Sequence, residues 1–245
     1  MLHSANLNVI VKSLEKVSSR LARDYVELEN LQSNNFSAAK YANSSYQRIE
    51  ESLVDELKKV RGTYNFQMTD GRKIIHNPTS EYQYIVCPID GLLNLSRSLQ
   101  SFSCFVALEH ISPEGKKEVI STAILNVVAN ETYSCEKGSG AFLNNRKIHV
   151  SRRELKDGIL CSLSNHSLAS HPLVQDLQKN KAIFQTSNCA SIDIANFSSG
   201  KIDACIFHAG EKSFIKAFLL LATEAGGEIV EKDDLIVVKS VKLKI

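Results

Sequence analysis

Several absences narrow the field at once. No stretch of the 245 residues approaches the apolar length of a membrane span, and the N-terminal segment lacks the apolar core of a secretion signal. The six cysteines (Cys87, Cys104, Cys135, Cys161, Cys189 and Cys205) form no C-x-x-C and no Cys/His spacing of a zinc site. Scattered free thiols suit a reducing cytosol, so a cytoplasmic location is expected. Excess charge of one sign is missing too: the net charge is +2 and the pI about 8.1. Lys and Arg gather into no long block, so there is no electrostatic case for a nucleic-acid binder. No internal repeat and no low-complexity tract interrupts the chain.

What remains is globular composition, 43% hydrophobic and 23% charged. The length suits one large domain or two tightly joined halves with ample core. Leu7, Ile10, Val11, Leu14, Val17 and Leu21 recur at helical spacing over residues 5–30, and Ile49, Leu53, Leu57 and Val60 repeat the pattern over 44–61. A strand over 82–86 precedes a turn at Pro88-Ile89-Asp90-Gly91, where each residue suits turn dihedrals. Residues 101–109 and 117–128 read as a hairpin around Ser112-Pro113-Glu114-Gly115, with shorter strands near 132–135 and 147–150. Gly138-Ser139-Gly140 makes a turn between them. From about residue 155 strands and helices alternate. Helices are expected at 173–179, 191–199 and 213–225, and strands at 158–162, 182–185, 202–207, 228–230 and 235–238. That rhythm implies an α/β half over 151–245, joined to an N-terminal α+β half over 1–150 in one compact unit.

The order of motifs in this chain resembles the inositol monophosphatase family, in particular its bacterial extragenic-suppressor branch. The family's D-P-[IL]-D-G-T-T-N loop stands here as Cys87-Pro88-Ile89-Asp90-Gly91-Leu92-Leu93-Asn94. Its E-K-G-x-G-A-F-x-N segment stands as residues 136–144, and its G-[ST]-A-A-x-D segment as Asn188-Cys189-Ala190-Ser191-Ile192-Asp193. Gly200-Lys201-Ile202-Asp203-Ala204 matches the strand entry that follows, and Glu224-Ala225-Gly226-Gly227 the end of the helix that begins W-D-x-A in the family. The resemblance covers nearly the whole chain. It implies a layered αβαβα sandwich of the α/β class, magnesium-dependent hydrolysis of phosphate monoesters, a homodimer, and for this branch a role in the transcription machinery separable from catalysis.

Magnesium wants an octahedron of oxygens, and the matched positions supply few. Cys87 stands at the loop's first Asp, and a thiol is a poor magnesium partner. Asp90 is retained. Leu92 replaces a Thr whose hydroxyl sits beside the attacking water in the family, and leucine can neither accept nor relay a proton. Phe214 falls at the Asp of W-D-x-A and Phe207 at an acid that grips the sugar alcohol. Lys40 and Tyr46 replace the two acids of an upstream segment. Asp70 is the one carboxylate left where the family carries Glu-Glu. The resemblance thus leaves Asp90 and Asp70 as residual metal ligands. For phosphate it leaves the backbone of Gly91 and Leu92 at a helix start, together with Asn94, Cys189 and Ala190.

Cys87 reads as a buried, inert thiol, because no C-x5-R loop accompanies it. His208, without partner ligands, reads as a satisfied histidine. The leading expectation is a member of the family that has lost most or all of its activity and serves in structure or partner binding. The rival is an enzyme with relocated chemistry, in which Asp90, Asp70 and a neighbour such as Asp193 hold one metal. A third reading is a drifting product with no present function.

Overall fold

The computed structural model describes residues 4–244, apart from the side chains of Asn35, Lys212 and Ser213. In chain order the elements are α1 (Ala5–Asn30), α2 (Asn35–Val60), β1 (Asn65–Met68), β2 (Lys73–Ile74), β3 (Tyr82–Asp90), α3 (Leu92–Ser96), β4 (Ser103–Ile111), β5 (Lys117–Asn126), β6 (Glu131–Glu136), β7 (Gly140–Leu143) and β8 (Arg146–Ile148). There follow β9 (Leu160–Leu163), α4 (Pro172–Lys179), β10 (Ile183–Gln185), α5 (Ala190–Ser198), β11 (Ala204–His208), α6 (Lys212–Glu224), β12 (Gly227–Lys232) and β13 (Leu235–Ser240).

Helix α1 is the one the spacing predicts, capped by Ser4, whose Oγ accepts from Leu7 N at 3.2 Å. Helix α2 starts well before residue 44, at an Asn34 cap. Its first half is easy to miss because its buried stripe is built from small residues, Ala38, Ala42 and Ser45, rather than from Leu and Ile. Small residues let α1 approach, and a polar clasp secures the pair. Asp24, buried on α1, accepts from Tyr41 Oη at 3.1 Å, from Ser45 Oγ and from Arg48 Nη2 at 3.1 Å.

Two sheets carry the core. The larger has the order β2-β1-β3-β4-β5-β6-β7-β8 and is antiparallel except for β1 against β3. The smaller has the order β10-β9-β11-β13-β12, with β10, β9 and β11 parallel. Side-chain alternation sorts the strand residues into three cores. On β4, Cys104, Val106 and Leu108 face α1 and α2, whereas Phe105 and Ala107 face a middle layer of α5 and α6. On β11, Cys205 and Phe207 face that same middle layer, and Ala204 and Ile206 face the outer layer with α4. The layers therefore run helices, sheet, helices, sheet, helix, which is the expected αβαβα sandwich. Lys216 of α6 fastens the middle layer to the large sheet by pairing with buried Glu109 at 2.9 Å.

Three strands are absent from the sequence expectation: β1, β2 and β7. All are short, and β7 follows at once from the Gly138–Gly140 turn. The expected turn at Pro88–Gly91 is also corrected. Strand β3 runs on to Asp90, with a register shift against β4 between Cys87 and Asp90. A bulge of this kind tolerates a proline inside a strand, because the extra residues leave the ladder there.

Candidate functional site

The motif loop lies where β3 leaves the large sheet. Gly91 has φ +77°, and a Cβ there would stand 2.7 Å from the Ser101 carbonyl oxygen and 3.3 Å from the Cys189 Cβ. Only glycine fits. Its lack of a side chain lets the loop meet Cys189, the residue before Ala190 at the start of α5. Asn94, buried on α3, completes the joint by donating from Nδ2 to the Ser101 oxygen at 2.6 Å and the Ser187 oxygen at 2.8 Å. Its role here is that of a clamp. Leu92 packs into the core beneath α1 and α2, and Leu93 is exposed beside it.

Asp90 is committed to the same joint. Its Oδ2 accepts from Ser191 N at 2.9 Å and Ser191 Oγ at 2.5 Å, with the Cys189 thiol at 3.4 Å. It is therefore the carboxylate that satisfies the first turn of α5, from a point a hundred residues earlier in the chain. Burial pushes its pKa up, against the Ser191 hydroxyl, the Ser191 amide, the Cys189 thiol and the Gly91 amide. Two expected phosphate donors are already engaged: the Gly91 amide serves Asp90, and the Cys189 amide donates to Ser187 Oγ at 3.0 Å. Replacing Asp90 with Ala is expected to lower stability by about 1–2 kcal/mol, the usual cost of a lost cap. Asn should be far milder, because its Oδ1 still accepts from Ser191. Urea midpoints of the two variants measure the difference.

The other matched positions go elsewhere. Cys87 points from β3 into the middle-layer core, where burial first and the Asp90 carboxylate second push its thiol well up, away from the thiolate. Phe207 is 1% exposed in that same core. Phe214 packs on its flank, edge-on to Phe105 and Phe218 with ring centroids 5.9 and 5.6 Å apart. Of the positions that the resemblance matches to acids, Cys87 and Phe207 lie within the hydrophobic core and Phe214 packs against it.

Asp70 turns to the surface. Its Oδ2 accepts from Arg72 Nε at 2.7 Å, and the Arg72 fork closes on Glu50 at 2.9 and 2.6 Å. Arg72, first by its hydrogen bond, holds the Asp70 carboxyl below its ordinary value. Tyr46, half-buried on α2, lies near this cluster, and burial first, with the neighbouring Asp70 and Glu50 carboxylates, pushes its pKa up. Lys40 lies exposed on the same helix. The two residual metal candidates thus hold different partners, Asp90 on Ser191 and Asp70 on Arg72.

Sequence reasoning passed over the serines of this joint. Ser103 Oγ and Ser191 Oγ lie 2.6 Å apart, and Ser187 Oγ donates to the Cys189 oxygen at 3.1 Å. Nothing local marks Ser103 and Ser191, since they lie 88 residues apart in the chain, whereas Ser187 makes a short-range turn with Cys189. Asp193, buried on α5 beneath them, leaves Oδ1 without a hydrogen-bond partner, as Ser162 leaves its Oγ. Burial lifts the Asp193 pKa to about 6, against the nearby Ser162 and Ser187 hydroxyls. His208 meets Ser167 Oγ at 3.2 Å on the protein's edge, as a satisfied histidine would.

The residues present do not fit magnesium. Octahedral oxygen coordination needs several convergent carboxylates. Here one is spent on a helix cap, one is held by arginine at the surface, and the rest of the set is thiol and phenyl. Among the described residues no group of three or more His, Cys, Asp and Glu side chains is arranged to hold a metal ion.

Comparison with known proteins identifies the frame. Residues 5–235 match the model of the inositol monophosphatase family. An inositol-1-monophosphatase of Rhizobium meliloti is 31% identical over 93% of this chain and 85% of its own. A Nus factor SuhB of Pasteurella multocida is 23% identical over 92% of this chain and 84% of its own. The crystal structure of extragenic suppressor protein suhB from Bartonella henselae superposes with a TM-score of 0.81 at 25% identity, over 98% of this chain and 95% of that one. With its layers, its motif loop and a match of this extent, the chain belongs to the inositol monophosphatase family.

Proposed function

We propose that this chain is a binding or scaffold member of its family, with magnesium-dependent hydrolysis of phosphate monoesters weak or lost. One observation carries the reading: Asp90, the retained loop carboxylate, is consumed in capping α5, while Cys87 and Phe207 lie inside a hydrophobic core and Phe214 packs on its flank, where the resemblance puts acids that hold metal or sugar alcohol. Each missing carboxylate removes a ligand and a unit of charge facing a divalent ion. The alternative, a phosphatase using Asp90 and Asp70, needs both side chains to abandon the partners they hold.

A cytoplasmic homodimer that meets the transcription machinery agrees with this reading. Support comes from relatives named Nus factor and from the lack, among the described residues, of any helix long and apolar enough to cross a membrane. The test is phosphate release from inositol 1-phosphate with magnesium present. Release no greater than the background is expected. Turnover that chelation abolishes and magnesium restores would overturn the proposal.

A further inference from the structure

Lysine and arginine form no long block in the sequence, yet the fold assembles one. The segment after β8 and the segment after β13 lie side by side and enclose two adjoining hollows of about 480 and 230 Å3, which share Val241 and Lys242. Four basic side chains, Arg152, Lys156, Lys242 and Lys244, line them against a single acid, Glu154. Locally that is more positive than the entire chain, whose net charge is +2. Glu154 is already bound to Lys156 at 3.0 Å. Arg152, Lys242 and Lys244 are exposed and have no ion-pair partner among the described residues.

The lining also has an apolar side. Val150 and Leu155 are half-buried in it, and Val241 is 70% exposed. No Phe, Tyr or Trp lines either hollow, and His149, at the smaller one, is the single ring among the lining residues. Single-stranded nucleic acid is held by stacking on several aromatic faces together with charge, and here one imidazole stands beside a surface that is otherwise charged and aliphatic. Carboxylates interspersed with aliphatic side chains complement both features.

We propose that this groove docks an acidic segment of a protein partner, its carboxylates on Arg152, Lys242 and Lys244 and an aliphatic side chain against Val241. The proposal stands whether or not the chain hydrolyses phosphate, because the groove shares no residue with the motif loop.

The test uses the full chain and three fluorescent probes: a short peptide of Glu and Leu, the same peptide with Lys for Glu, and single-stranded oligouridylate. Anisotropy should show saturable binding of the acidic peptide, weakening as salt is raised. The triple variant Arg152→Glu, Lys242→Glu, Lys244→Glu should weaken it by about tenfold or more, since each rim pair contributes modestly and the three act together. A control with the same charge change on exposed lysines elsewhere, Lys58→Glu, Lys73→Glu, Lys179→Glu, should bind within about twofold of the native chain. On the native chain, the amides of Arg152 and Val241 should shift as peptide is added, which serves if the triple variant folds poorly. The proposal is overturned if the acidic peptide fails to bind, if oligouridylate binds tighter at the same residues, or if the control loses as much as the triple variant.

Discussion

A glutamate at Phe207 is expected to unfold the protein rather than to rebuild a metal site. Phe207 is 1% exposed on β11, pairs in register with Ile236, and shares its core with Cys87, Phe105 and Phe218. Truncating such a residue to alanine costs about 3–5 kcal/mol through lost burial and the cavity left behind. A carboxylate there adds the desolvation of a charge with no partner. The total stability of a domain is only about 5–15 kcal/mol. Phe207→Ala should thus survive with a much lower urea midpoint, and Phe207→Glu should lose the cooperative transition. Phe214 is only half-buried, so Phe214→Asp should cost less. A well-folded Phe207→Glu variant whose melting temperature rises with magnesium would show that this core opens into a working pocket.

The second large effect has the opposite sign. Asp193→Asn is expected to stabilise the protein at pH 7–8, by at most about 3 kcal/mol, given a carboxyl lifted from 3.8 to about 6. The cause is burial on α5 with Oδ1 unpaired. In the folded chain this carboxyl keeps its proton to a higher pH than in the unfolded chain. Between about pH 4 and 6 the native state therefore binds more protons, and stability falls as the pH rises through that window. Above it the cost is fully present, and below it absent. Asparagine removes the charge and keeps the shape, so the gain should be present at pH 8 and vanish at pH 4. Paired urea titrations at the two pH values measure it. An equal effect at both would place the cause in packing.

Much of this architecture was legible in the chain. Helix α1 and most elements after residue 155 follow their apolar spacing and cap signals to within a few residues, because periodicity and turn chemistry are local. The first half of α2 escaped because Ala38, Ala42 and Ser45 make a buried stripe without large apolar residues. Strands β1, β2 and β7 escaped because two to four residues cannot show a period. The end of β3 was misread because Pro, Asp and Gly suit a bulge as well as they suit a turn. The identities at Cys87, Leu92, Phe207 and Phe214 were plain in the sequence. Where those side chains went was not.

The sequence by itself determined the family, the layered fold and the identities of the residues in the motif loop, because those follow from residue type and order. Tertiary structure alone decided where the side chains at the matched positions went. It turned Asp90 to the start of α5, a hundred residues away, closed Arg72, the partner of Asp70, on Glu50 of α2, and sealed Cys87 and Phe207 into one core. It also set Arg152 beside Lys242, residues that are far apart in the chain. Both decisions rest on contacts between distant segments, and chain order sets no distance between them until burial of the sheets' apolar faces has drawn the layers together.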